Sequence, residues 1–272
     1  MRLRSAGAIE EKMQLETAEM NLIHGGPVLA ESRRFLVKLA ETSAELEQAF
    51  RLRYEVFKLE QGRMASLQSR IDRDEFDDYC FHLLVIDRET GRVVGTYRMQ
   101  FGTTALAGRG FYSEQEYEIS GLRELAGKVL EVGRSCVDPA FRSGAVVAML
   151  WEGIAEAHRR AGFRYMLGCV SLEHTNGAIG WALYEELRRS GQLTTAIAAT
   201  PRAGFELARP SEQEIAAVDL RREVPPLFKG YLRIGAKVAG VPVLDREFGS
   251  IDYLVWFDFA ELPDKYVKHF NV

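Results

Sequence analysis

The 272 residues carry 35 Lys and Arg against 39 Asp and Glu, a formal net charge of -4, and 47% of them are hydrophobic. Such a chain suits one large α/β domain, or one domain plus an extension. It argues against bulk nucleic-acid binding and lacks any apolar run near the roughly 20 residues that cross a bilayer. Cys80, Cys136 and Cys169 have no paired spacing, so neither a disulfide framework nor a zinc site is expected and a reducing cytosol fits. The basic start Met1-Arg2-Leu3-Arg4 has no apolar stretch behind it, so no secretory signal is read there.

In chain order, a weak helix is expected near Ile9–Glu19, then a loop through His24-Gly25-Gly26-Pro27 and a strand over Phe35–Leu39. Thr42-Ser43-Ala44-Glu45 reads as a capping box opening a helix. Leu46, Phe50 and Phe57 share one face of that helix, and Arg53 falls among them. A guanidinium in an apolar stripe needs a partner or a route to water. It is either structural or a charge held under a substrate pocket.

A carboxylate-dense loop follows, with Asp72, Asp74, Glu75, Asp77 and Asp78, which taken alone reads as solvated. Phe81–Asp87 and Val93–Phe101 form a hairpin around Glu89-Thr90-Gly91. Strict alternation puts Val93, Gly95, Tyr97, Met99 and Phe101 on one face and Thr96, Arg98 and Gln100 on the other, with Arg98 expected to meet solvent. Gly102 to Lys128 is a polar excursion with a short helix near Leu122–Leu125.

Strand 129–137, helix 143–161 and strand 165–172 then make a crossover, so the two strands are expected to be parallel neighbours. A helix over Thr175–Ser190 follows. After Pro225-Pro226 comes a helix to about Ala239, and last a strand near Tyr253–Phe259.

The chemistry concentrates in Leu130 to Gly144. Glu131 on a mid-sheet strand is costly to bury alone. It is either half of a structural ion pair with Arg134 or Arg98, or a general base tuned by burial and neighbouring cations. Gly133 is a natural place for a bulge that would bring Glu131 and Arg134 to one face. Cys136 has no local partner to lower its pKa and reads as packing. Arg142, Ser143 and Gly144 precede a helix whose N-terminus could hold a phosphate.

Four segments, in order and spacing, resemble the acyl-homoserine-lactone synthase branch of the GNAT acyltransferase superfamily. They are Arg53-Tyr54-Glu55-Val56-Phe57, Asp74-Glu75-Phe76-Asp77-Asp78, Gly95-Thr96-Tyr97-Arg98 and Glu131-Val132-Gly133-Arg134-Ser135-Cys136-Val137. Over residues 35–270 the closer resemblance is to bacterial ornithine–acyl-carrier-protein N-acyltransferases and related N-acyl amino acid synthases, some of which carry a hemolysin label. It is carried also by His82-Leu83-Leu84-Val85, Gly110-Phe111-Tyr112-Ser113-Glu114 and the run from Pro225 to Arg233.

The resemblance implies an α/β GNAT-type fold: a mixed central sheet with flanking helices, splayed parallel strands and a C-terminal helix and strand extension. Residues 32–272 form that domain, behind an N-terminal extension over 1–31. It implies transfer of a fatty acyl group, often 3-hydroxylated, from acyl-carrier protein to the α-amine of an amino acid, foremost L-ornithine.

By position, Arg53, Phe57, Asp74, Asp77, Arg98 and Arg134 match the family's substrate-binding set and Glu131 the catalytic position, with the acidic loop folded over the acceptor pocket. The phosphopantetheine arm of the carrier would pass between the parallel strands near Ser135, Val137 and Val170, toward Arg142, Ser143 and Gly144. One departure is Val146, where the usual acetyl-CoA loop has a second Gly or Ala; this favours a carrier-protein donor over CoA. No permanently bound cofactor and no metal are implied.

Lys229, Arg233 and Lys237 on the expected last helix form a basic stripe. It is either a solvated face or a docking surface for acidic carrier protein or an anionic membrane. The location implied is cytoplasmic, peripheral at the inner membrane. The rival readings are another acceptor amino acid, a homoserine-lactone signal synthase, and a membrane-associated binding protein.

Overall fold

The computed structural model describes residues 18–60, 70–221 and 223–270. Most of the expected first helix lies outside the described residues; residues 18–24 are helical. One eight-stranded sheet organises the chain. Its strands are β1 (Val28–Glu31), β2 (Phe35–Leu39), β3 (Phe81–Asp87), β4 (Arg92–Phe101), β6 (Val129–Val137), β7 (Tyr165–Leu172), β9 (Lys237–Asp245) and β10 (Ser250–Asp258). They lie in the order β1-β2-β3-β4-β6-β7-β10-β9, and β5 (Tyr117–Ser120) pairs with β8 (Ala198–Pro201) in a separate ribbon. All neighbours are antiparallel except β6 and β7. β1, assigned from sequence to the N-terminal extension, joins the sheet edge with Leu29 buried.

α1 (Ser43–Tyr54) starts at the Thr42 capping box, where Thr42 accepts from Glu45 N and the Glu45 carboxylate accepts from Thr42 N. Glu55–Glu60 continues it as a π-helical turn. α1 packs Ala49 and Leu52 on one sheet face against Leu84, Val93 and Cys136. α2 (Ala145–Ala161) carries the crossover from β6 to β7 over the other face, where Leu150 and Ile154 meet Leu83, Met99 and Leu130. α3 (Gly177–Arg189) opens at Asn176, whose side chain accepts from Ala178 N.

Two departures from strict alternation matter. The β3–β4 register slips between Val85–Gly95 and Ile86–Val93. Val93 therefore packs on the α1 face with Cys136, away from Tyr97 and Met99. The β4–β6 register slips between Thr96–Cys136 and Arg98–Gly133, so Arg134 and Ser135 together oppose Tyr97. This bulge lies one residue beyond the glycine expected to host it. Arg134 takes the left-handed conformation, φ 51°, that such bulges reserve for glycine.

The C-terminal region corrects a larger expectation. α4 (Pro226–Arg233) stops because Gly235 sits at φ 99°, and Lys237 and Val238 begin β9. Lys237 Nζ meets Glu261 at 2.7 Å and Lys229 Nζ donates to Arg221 O at 3.2 Å. Lys229, Arg233 and Lys237 therefore do not form one helical stripe.

β6 and β7 pair only through Val129–Tyr165, Leu130–Met166 and Glu131–Leu167, although both run on for five residues or more. Gly168 sits where they part: a Cβ there would lie 2.2 Å from Val132 O. Gly168→Ala is expected to cost about 1–3 kcal/mol of stability, because the clash is with backbone that cannot rotate away. Urea unfolding measures this, and a parental midpoint would refute the tight fit.

Candidate active site

Past Glu131 and Leu167 the facing edges of β6 and β7 open onto a cavity of about 320 Å³. Its walls differ by sheet face. Met166, Ile234, Val255 and Phe257 make an apolar end on the α2 face. The other end is polar, with Gln100, Glu116, Glu131, Arg134 and Asp252. Main-chain edges of Gly133 to Ser135 and Gly168 to Ser171 line the passage between the two ends.

Glu131 is 5% exposed and aims into this polar end. No described arginine pairs with it, so of the two readings offered by the sequence the ion pair with Arg134 or Arg98 is not formed. Its Oε2 accepts from Tyr112 N at 2.6 Å, and its Oε1 accepts from Ser113 N at 2.8 Å and Ser113 Oγ at 2.7 Å. The excursion before β6 folds back to supply these donors. Burial raises the Glu131 pKa above its ordinary value, and the Ser113 and Tyr112 donors only partly offset it.

The arginines are bound elsewhere, and Arg98 is buried rather than solvated. Arg98 Nη1 lies 2.7 Å from both Asp74 oxygens and 3.1 Å from Asp77 Oδ1. Arg134 Nη2 donates to Asp74 Oδ2 at 3.0 Å, which holds the strained bulge residue in place. Arg53, 1% exposed, grips Asp72 at 2.7 Å and Asp77 at 2.8 Å.

The acidic loop is therefore the counter-charge of a six-residue network running Asp72–Arg53–Asp77–Arg98–Asp74–Arg134. Burial alone would raise the Asp74 and Asp77 pKa values. The guanidiniums of Arg98 and Arg134 beside Asp74, and of Arg53 and Arg98 beside Asp77, hold both carboxyls below their ordinary value. His82 Nε2 lies 3.2 Å from Asp77 O, and burial keeps that ring neutral more readily than usual.

Of the residues expected from sequence, Glu131, Phe57, Arg98, Arg134, Ser135 and Val170 line the cavity. Arg53, Asp74 and Asp77 stand behind it and fix the arginines. Val137, Arg142, Ser143 and Gly144 are not among its lining residues. Arg142 Nε donates to Val137 O at 3.2 Å, and Val146 is wholly buried. Cys136 is buried, with its thiol pKa pushed up by burial, and serves as packing.

Sequence reasoning missed Tyr112, Ser113, Gln100, Glu116, Asp245, Ser250 and Asp252. Asp245 at the end of one apolar strand and Asp252 inside the next were the available signal. Both side-chain atoms of Gln100 and the Nε of Arg134 are buried without hydrogen-bond partners, although both residues line the cavity. Such orphaned groups are rare unless a ligand meets them.

A family model described as an acetyltransferase (GNAT) domain matches residues 52–152. The L-ornithine N(alpha)-acyltransferase of Brucella abortus (strain 2308) is 32% identical over 252 residues, covering 86% of this chain and 88% of that one. Its counterpart in Agrobacterium fabrum (strain C58 / ATCC 33970) is 31% identical over 251 residues, covering 86% and 84%. Among solved structures, FeeM, an N-acyl amino acid synthase from uncultured soil microbes, superposes with a TM-score of 0.49 at 11% identity, covering 84% of this chain and 94% of that one. The mixed sheet with one parallel pair and flanking helices is the GNAT-type fold that the sequence resemblance implied.

Proposed function

The chain belongs to the L-ornithine N(alpha)-acyltransferase family, and on that premise we propose that it moves a 3-hydroxyacyl group from acyl-carrier protein to ornithine through the gap between β6 and β7. The relatives are named for moving an acyl group onto the α-amine of L-ornithine, a transfer that an acyl thioester can supply. The observation that carries the proposal is a cavity apolar on one sheet face, polar on the other, and open between two strands. An acyl tail suits the apolar end, the pantetheine arm suits the passage, and an amino acid suits the polar end.

In this reading the arm lies extended along the free edges of β6 and β7, whose main-chain N–H groups polarise the thioester carbonyl. The α-carboxylate of ornithine meets the orphaned Arg134 Nε and the Gln100 amide. Glu131 takes a proton from the α-amine. An ionised carboxylate offers about four acceptor sites, and three of those on Glu131 are filled by Tyr112 and Ser113, leaving one on Oε2. The amine nitrogen attacks the thioester carbon, the C–S bond breaks, and the proton that Glu131 took from nitrogen passes to the departing thiolate. Amide and free thiol result, with no covalent enzyme intermediate.

The donor is tested by supplying L-ornithine with the same 3-hydroxyacyl group on carrier protein or on CoA and measuring acyl-ornithine by mass spectrometry. The carrier-protein donor is expected to have the higher kcat/KM by about 10-fold or more, since only it adds protein–protein binding energy. Equal values would overturn the carrier assignment. Acylation of a different amino acid in preference to ornithine would overturn the acceptor.

A further inference from the structure

The polar end of the cavity holds a second carboxylate group that the acyl-transfer step does not use. Glu116 comes from the excursion before β6, while Asp245 and Asp252 stand on the paired strands β9 and β10, yet one oxygen of each lies within 4.8 Å of the others. They are 4%, 7% and 4% exposed, and all three line the same cavity as Glu131. No described Lys or Arg forms an ion pair with Glu116 or Asp245. Asp245 Oδ1 accepts from Phe248 N at 2.8 Å. The nearby guanidinium of Arg134 lies over the Phe248 ring at 4.9 Å, donates through Nη2 to Asp74, and only partly offsets the charge of Glu116.

Independently of the charges, two buried polar atoms at this place have no hydrogen-bond partner. They are Glu116 Oε2 and Ser250 Oγ, in residues 4% and 2% exposed that both face the cavity. A buried carboxylate oxygen and a buried hydroxyl left bare cost free energy unless something brought from outside satisfies them.

We propose that Glu116, Asp245, Asp252 and Ser250 form a socket for a primary ammonium on the acceptor's side chain, and thereby set the enzyme's preference for a dibasic amino acid. The proposal rests on the acceptor reading above and assigns the residues that enforce it. An ammonium has three N–H donors directed tetrahedrally. At charge-assisted distances of about 2.8 Å, its acceptors stand about 4.6 Å apart, which the spacing of the three carboxylates accommodates.

The position also suits a short chain. Ser113, which donates to Glu131, and Glu116 belong to one turn, with Glu116 N donating to Ser113 O. Glu131 and Glu116 line the same cavity, so one short chain with an amine at each end can present its α-amine to Glu131 and its δ-ammonium to Glu116. Without a cation the cluster is strained by its own charge: burial, and then the Asp252 and Asp245 carboxylates, push Glu116 up to about 9. The socket thus holds a proton where it would otherwise hold a ligand's positive charge.

The test compares L-ornithine with L-norvaline, the same carbon chain without the δ-amine, in the full-length protein with 3-hydroxyacyl carrier protein. The parent is expected to favour ornithine in kcat/KM by about 10²-fold or more, as sites built around a charged partner do. Glu116→Gln and Asp252→Asn are expected to collapse that ratio toward unity, mainly through KM for ornithine. Removing one of three clustered like charges should not unfold the protein, which thermal melting checks. Asp245→Asn, which can still accept from Phe248 N, is the second substitution if either of the first fails to fold.

An unchanged ratio in folded variants overturns the socket. So does ornithine turnover that is abolished by EDTA and restored by Mg²⁺ or Ca²⁺, which would make the cluster a metal site. A parent that makes no acyl-ornithine with any donor defeats the acceptor reading itself. A parent that makes it while treating norvaline equally defeats only the socket.

Discussion

Glu131→Gln is expected to lower kcat for ornithine acylation by roughly 10²–10⁴-fold, the range in which a positioned proton acceptor contributes. The substituted amide fills the same volume. Its NH2 would, however, face either Tyr112 N–H or the Ser113 donors, all of which now point at the carboxylate. That mismatch costs about 1–3 kcal/mol, so turnover must be measured on protein shown to be folded by thermal melting.

A second signature separates base from scaffold. Because the Glu131 pKa is raised, the fall in parental kcat on the acid side should come at a higher pH than an exposed glutamate would give, and the Gln variant should lack that limb. The linkage sign agrees. An acid whose folded pKa is raised favours the folded state while protonated, and that contribution is lost as pH rises through the folded pKa. The carboxylate form is thus the stressed one, held ready to accept a proton. A folded Gln variant with parental turnover and an intact acid limb would remove Glu131 from the chemistry.

The largest stability effect is expected at Arg53→Met, about 3–5 kcal/mol, because it strands Asp72 and leaves Asp77 with Arg98 alone inside the protein. Arg53 is 1% exposed, so water cannot replace the lost donors. Equilibrium denaturation in urea reads the loss. Adding Asp72→Leu should recover part of it, since an apolar substitution of both partners removes the buried charge that had lost its counter-ion. A loss below about 1 kcal/mol, the size of an exposed pair, would mean that solvent reaches the network.

Much of this molecule could be read locally. The Thr42 box, the β3–β4 hairpin, and the β6–α2–β7 crossover follow from short-range signals: a cap, a turn, and a change in hydrophobic period. The same signals placed Glu131, Arg98 and Arg134 near one another. They could not assign partners. The donors to Glu131 come from Tyr112 and Ser113, in an excursion whose path is set by tertiary packing, and the arginines went to the acidic loop. Register was the second limit. One extra residue near Val94 and another at Arg134–Ser135 reverse alternation, and in each case the glycine, Gly95 or Gly133, stands beside the extra residue rather than at it. Lys237 was misplaced because Leu227, Tyr231, Ile234 and Val238 keep helical spacing across Gly235, where the backbone has already left the helix. Asp245 and Asp252 share one hairpin, but Glu116 lies more than a hundred residues earlier, and no local pattern unites it with them.

The three-rung seam between β6 and β7 has a consequence for the whole molecule. It divides the sheet into a five-stranded and a three-stranded leaf that share few main-chain bonds. A guest lying in the cleft would bond to both leaves and knit them together. Occupancy of the cleft would then strengthen the sheet along that seam.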